Sequence, residues 1–142
     1  MKKLIAAVFV FALCSVVVAG QTKKFTVRVI VTSDYGEEIK ATTKSMLTKK
    51  LLALGDIEIV EKNESMRLVV DVAELRPTPK DLIGYAIDYI FAEPTTCGDR
   101  HIYALLNFGG FTRPKNDLRS GVEKVISNID DAVLSDRRKA RP

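Results

Sequence analysis

The sequence predicts an α+β two-layer sandwich, a mixed five-stranded sheet with two helices on one face, in the order β-α-β-β-β-β-α. Three observations carry this. Two stretches place apolar residues at three-and-four spacing with one wet side each, and five stretches are rich in β-formers or alternate with a period of two. Four of the strands also follow one another with no helix between them, which excludes a doubly wound fold.

Phe25, Val27, Val29 and Val31 alternate with Thr26, Arg28 and Ile30, so the first strand runs over about 25 to 33. Ser33 and Asp34 then offer capping oxygens, and Glu37 and Glu38 suit a helix N-terminus. Ile39, Thr43, Met46, Leu47, Leu51 and Leu54 keep helical spacing, which predicts a helix over 36–54 stopped at Gly55. Lys40, Lys44, Lys49 and Lys50 take its solvated face. Ile57 and Ile59 alternate with Glu58 and Val60 in a short strand, ended by the turn-prone residues 62–65. Arg67 to Leu75 is the next strand, with Leu68, Val70 and Val72 on one face and Asp71 on the other; the loop before it is short enough for a hairpin. Asn63-Glu64-Ser65 is a glycosylation triplet in a eukaryotic host and otherwise a chance occurrence.

The stretch 78–92 carries two signals. Thr78-Pro79 looks like a helix start, whereas Ile83, Tyr85, Ile87, Tyr89 and Phe91 alternate strictly with smaller or polar residues; the alternation outweighs the cap and predicts a strand over 83–92. A polar loop follows to Arg100. His101 to Phe108 is then the fifth strand, ended by Gly109-Gly110. The last helix opens near Pro114 to Asp117 and carries Leu118, Val122, Val125, Ile126, Ile129 and Val133 on one stripe.

Residues 1–20 combine Lys2-Lys3, an apolar run from Leu4 to Val18 and small residues at Ala19-Gly20, the layout of a signal peptide cleaved after Ala19 or Gly20. That run is shorter than the roughly 20 residues of a spanning helix, so no stable membrane span is expected after cleavage; an uncleaved anchor is the alternative. Leu13, where a lipoprotein signal wants a small residue, argues against lipidation of Cys14. Residues 21–136 are read as one α+β domain and 137–142 as a basic flexible tail. Without Lys2, Lys3 and the four basic residues of that tail, 16 basic residues face 18 acidic ones. The formal charge of +4 is therefore peripheral, and nucleic acid is not an expected partner.

The chemistry is narrow. One histidine, two cysteines and no tryptophan exclude multi-histidine metal sites, zinc ribbons and a disulfide framework. Glycine-rich phosphate cradles and G-x-S-x-G are absent, so no cofactor or metal is expected. Cys97 and His101 are the one nucleophile and base close in sequence, with Arg100 as a cationic neighbour. A structural loop cysteine is the plainer reading. Glu37-Glu38 and Asp130-Asp131 fit helix-dipole compensation and a solvated helix face. Asp71 and Asp88 either line a groove on the uncovered sheet face or simply form its wet surface. Phe111, on the Gly109-Gly110 turn, either anchors a partner or closes one end of the core.

Met46 to Glu61, followed by Arg67 to Val72, resembles a unit of small exported bacterial envelope proteins. It is similar to the amino-terminal domain of the periplasmic propeller protein of the Tol-Pal system, over residues 25–75. The resemblance implies a periplasmic assembly or protein-contact role and transfers no functional residue. The expectation is a non-enzymatic module that binds a protein or envelope component through its open sheet face or an exposed edge strand. Two alternatives stand beside it: an enzyme with a Cys97/His101 loop site, and a membrane-peripheral protein using Phe111 and the tail. Nothing in the pattern specifies an oligomeric state.

Overall fold

In the computed structural model, which describes residues 24–141, β1 (Phe25–Thr32) buries Phe25, Val27, Val29 and Val31 in the core and turns the alternate residues away. The segment read as a signal peptide, with Cys14, lies outside the described residues. The expected fold class and element order hold: α1 (Glu37–Leu52), β2 (Ile57–Ile59), β3 (Met66–Leu75), β4 (Gly84–Cys97), β5 (Arg100–Pro114) and α2 (Leu118–Ile129) follow β1. The sheet is mixed and five-stranded, in the order β2-β1-β3-β4-β5. Its helix face and the inner stripes of α1 and α2 share one core that includes Val27, Leu47, Leu68, Ile87, Phe91 and Val125. The ambiguous stretch 78–92 is strand from Gly84, after a turn in which Asp81 N–H donates to the Thr78 carbonyl.

Four local expectations are corrected. Ser33 and Asp34 do not cap α1; its N-cap is Gly36, at φ 108, and the Ser33 hydroxyl instead accepts from the Tyr35 N–H. The β2–β3 hairpin does not form. Both strands run parallel to β1 on opposite sides of it, β2 along Phe25 to Val27 and β3 along Val27 to Thr32. β2, three residues long, satisfies few backbone groups, whereas β3 between β1 and β4 is paired along its length. Residues 60–65 therefore cross from one side of β1 to the other. Ser65 fixes the crossing, its hydroxyl donating to the Thr26 carbonyl and accepting from the Thr26 N–H.

The third correction concerns 93–100, which is not a polar loop: β4 and β5 continue as a ribbon to a tight turn at Gly98-Asp99, where Gly98 takes φ 59. Gly109-Gly110 likewise lies inside β5 instead of ending it. The fourth concerns the basic tail. After α2 a wider turn, Asp130–Leu134, buries Val133 and Leu134 and leads into α3 (Ser135–Lys139). Arg137 pairs with Glu93, Arg138 with Asp56 and Asp130, and the Arg141 guanidinium lies 3.3 Å from the centre of the Phe25 ring. Three carboxylates and one aromatic ring within reach make docking preferable to fraying.

Candidate functional site

With both helices on one side, the other face of the sheet is open, and register arranges its side chains in rows across four strands. Arg28, Arg67, Ala92 and Leu105 form one row; Ile30, Val69, Ile90 and Phe108 the next; Thr32, Asp71, Asp88 and Gly110 a third. An apolar ridge thus runs between a row with two arginines and a row with two aspartates. Its outer end is exposed, with Phe108 69% and Ile90 50% accessible, and beside it Leu105, at the end of the arginine row, is 56% accessible. Burying Phe108 alone against a partner is worth about 1.5 to 2 kcal/mol.

Val69, Asp71, Asp88, Ile90, Phe108 and Gly110 line a shallow groove of about 410 Å³ on this face. Where the groove crosses β5 the strand carries two adjacent glycines, and neither has room for a side chain. A Cβ at Gly109 would stand 2.8 Å from the Tyr89 ring, and one at Gly110 would collide with Oδ1 of Asp88. The tyrosine fills the helix-side gap and the aspartate leans over the other. Asp71 and Asp88 are direct cross-strand partners, a like-charge pairing that costs stability, and the Thr32 hydroxyl donates to Asp71 at 2.5 Å.

Beyond Ala92, β4 and β5 have no third strand beside them and project as a two-stranded arm, a structure marginally stable by itself. Both faces of its base are braced. On the open side the Arg67 guanidinium sits 4.0 Å from the Tyr103 ring centre, and the Tyr103 hydroxyl donates to Glu64 at 3.2 Å. Glu64's own backbone N–H, with Arg67, holds its carboxyl below the usual range against the opposing effect of burial. On the helix side Arg137 donates to Glu93 at 2.6 Å. Ile102 and Tyr103 remain 42% and 43% accessible.

The residues singled out from the sequence are not brought together. Cys97 is opposite Arg100 and His101 opposite Thr96, in consecutive cross-strand pairs, so strand alternation sends the thiol and the imidazole to opposite faces of the arm. Both are exposed. Phe111 is opposite Ile87 on the helix face, packed against the core with Arg113 5.1 Å from its ring centre. It closes the core end and presents no anchor to solvent. Asp71 and Asp88 do line a groove on the uncovered face, in keeping with the first of their two readings.

Phe108, Ile90 and Leu105 were not legible as site residues. β5 gains one residue near Leu106, where Phe91 is opposite Asn107 but Ala92 opposite Leu105, and that bulge decides which aromatic faces outward. The one available signal was Ile90 alternating with Asp88, both out of phase with the tyrosines.

Among the described residues no helix is long and apolar enough to cross a membrane. No protein-family model and no curated protein matches the chain. Among solved structures, the hypothetical protein CT253 from Chlamydia trachomatis aligns with a TM-score of 0.53 at 8% identity, over 79% of this chain and 99% of that one. The PelC dodecamer from Paraburkholderia phytofirmans aligns at 0.44 and 17% identity, over 70% and 79%. The rare lipoprotein B from Shewanella oneidensis aligns at 0.27 and 14% identity, over 78% and 89%. None of the three is a Tol-Pal domain. The likeness to CT253 is one of fold, and it spans nearly all of that protein.

Proposed function

We propose that this chain is an exported, non-enzymatic module that binds a partner protein on the open face of β4 and β5. One observation carries the reading: the ridge ending in Ile90 and Phe108, and continued by Leu105, leaves three large apolar side chains half or more exposed side by side at the edge of the sheet. The Arg67 and Asp71/Asp88 rows beside the ridge supply the charged rim that orients a partner. Export rests on the layout of residues 1–20, with a single domain following.

Two measurements test this. A photo-crosslinking side chain placed at 108 or 105 in the native cell should give one discrete adduct, identified by mass spectrometry, that the same group at Lys44 on α1 does not give. Equal labelling from both faces overturns the docking surface. N-terminal sequencing of the processed protein should begin at Gly20 or Gln21; intact full-length chain in cytosolic extract overturns export.

A further inference from the structure

The two edges of the sheet are unequal. β2 offers three residues, whereas β5 offers fifteen, Arg100–Pro114, with one side of its backbone unpaired. A long, exposed edge with apolar side chains is a template for another extended chain. β5 itself has Arg100, His101 and Arg113 near its ends and no carboxylate. Two copies paired antiparallel through β5 would set the Arg100 end of one against the Arg113 end of the other. Charge thus disfavours a second copy, and the occupant is a strand of different sequence.

The aspartate row says which. Asp88 points over Gly110, so its carboxylate lies above β5, about one strand spacing of roughly 4.8 Å from the line an added strand would follow. Among the described residues no cation pairs with it. Asp71, directly opposite, adds a second negative charge. Two residues away on the same face of β5, Phe108 presents the most exposed large apolar side chain.

We propose that β5 accepts, as a sixth strand, an extended segment of a partner protein with a lysine or arginine opposite Gly110 and an apolar residue two positions along, opposite Phe108. The inference deepens the protein-binding reading and rests on it. The cation reaches across the Gly110 backbone to the Asp88 carboxylate, which occupies the space a Cβ would take, while main-chain hydrogen bonds to β5 hold the segment in line.

The probe is the acetylated, amidated nonapeptide Thr-Thr-Val-Thr-Lys-Thr-Val-Thr-Thr, titrated into the purified protein and followed by amide NMR. Shift changes should centre on residues 105–112. Replacing the peptide lysine by norleucine should weaken binding about tenfold in the wild type and much less in Asp88→Asn, where only Asp71 remains; the variant's fold is checked by its melting temperature. Methylating the peptide amides that face β5 should abolish binding, whereas methylating the alternate set should not. Binding at β5 with equal lysine dependence in wild type and Asp88→Asn overturns the cation assignment and leaves the protein-binding reading standing. No β5 shifts, with crosslinking from 108 intact, overturns strand addition alone. A sedimenting dimer that Phe108→Ser dissolves makes a second copy the occupant and overturns the proposal.

Discussion

Arg138 donates from Nε at 2.6 Å and Nη2 at 3.1 Å to the two carboxylate oxygens of Asp56, 82 residues earlier in the chain. Its Nη1 reaches Asp130 at 2.6 Å. One guanidinium thus ties the last helix to the residue that leads into β2. That hydrogen bonding, ahead of the charge attraction, lowers the Asp56 carboxyl below its ordinary 3.8 and raises the Arg138 guanidinium further.

A depressed carboxylate stabilises the fold above its unfolded-state pKa and loses that contribution as pH falls through the folded value. Asp56→Asn should therefore cost about 1 to 2 kcal/mol at pH 7 and pH 5, and the difference from wild type should shrink as the pH falls further into acid, through the lowered folded value. Urea denaturation at pH 7, at pH 5 and at successively lower pH checks this; a difference that persists unchanged into acid refutes the assignment to the ion pair.

Tyr89 is buried beneath β5 with its hydroxyl engaged twice, donating to Asn107 at 2.7 Å and accepting from Asn128 at 3.1 Å. The ring crosses Gly109, so the same residue fills a gap in β5 and joins the sheet to α2. Tyr89→Phe keeps the ring and strands two amides, a loss of about 1 to 3 kcal/mol in thermal or urea unfolding.

Phe108 and Phe111 lie on one strand and on opposite faces. Phe111→Ala removes a partly buried ring from the core and should lower stability by about 2 to 3 kcal/mol, below the range for a fully buried phenylalanine. Phe108→Ser should stay within about 0.5 kcal/mol of wild type while reducing partner crosslinking. Calorimetry paired with the crosslinking assay separates the two roles.

Much of this was legible in the chain. Period-two and helical spacing located β1, α1, β3, the first part of β4 and α2, because one-sided burial imposes those periods on them, whereas β5 was placed only as far as Phe108. Strand direction leaves no such trace, and the crossing fixed by Ser65 and Thr26 is a long-range fit that the turn-like residues 62–65 do not announce. The arm was misread because Glu93 to Arg100 is polar for a different reason: a two-stranded ribbon has no core face to bury. Gly109-Gly110 read as a stop although each glycine makes room for a side chain of β4, a contact between residues 20 or more apart in sequence. The site therefore hid in the one strand whose pattern is broken by a bulge and two glycines.

Thr43 is fully buried on α1, and its Oγ1 has no hydrogen-bond partner. Thr43→Val replaces the unpaired hydroxyl with a methyl of similar size and should raise stability by about 1 kcal/mol. A fall in melting temperature would mean that the hydroxyl is bonded in solution.

The inequality of the two sheet edges also limits how the sheet can grow. β2 is too short to template a neighbour, so this chain can take part in strand-by-strand growth only through β5. Strand addition at β5, as proposed, would therefore use the one long edge this sheet has and leave β2 unable to template a further copy.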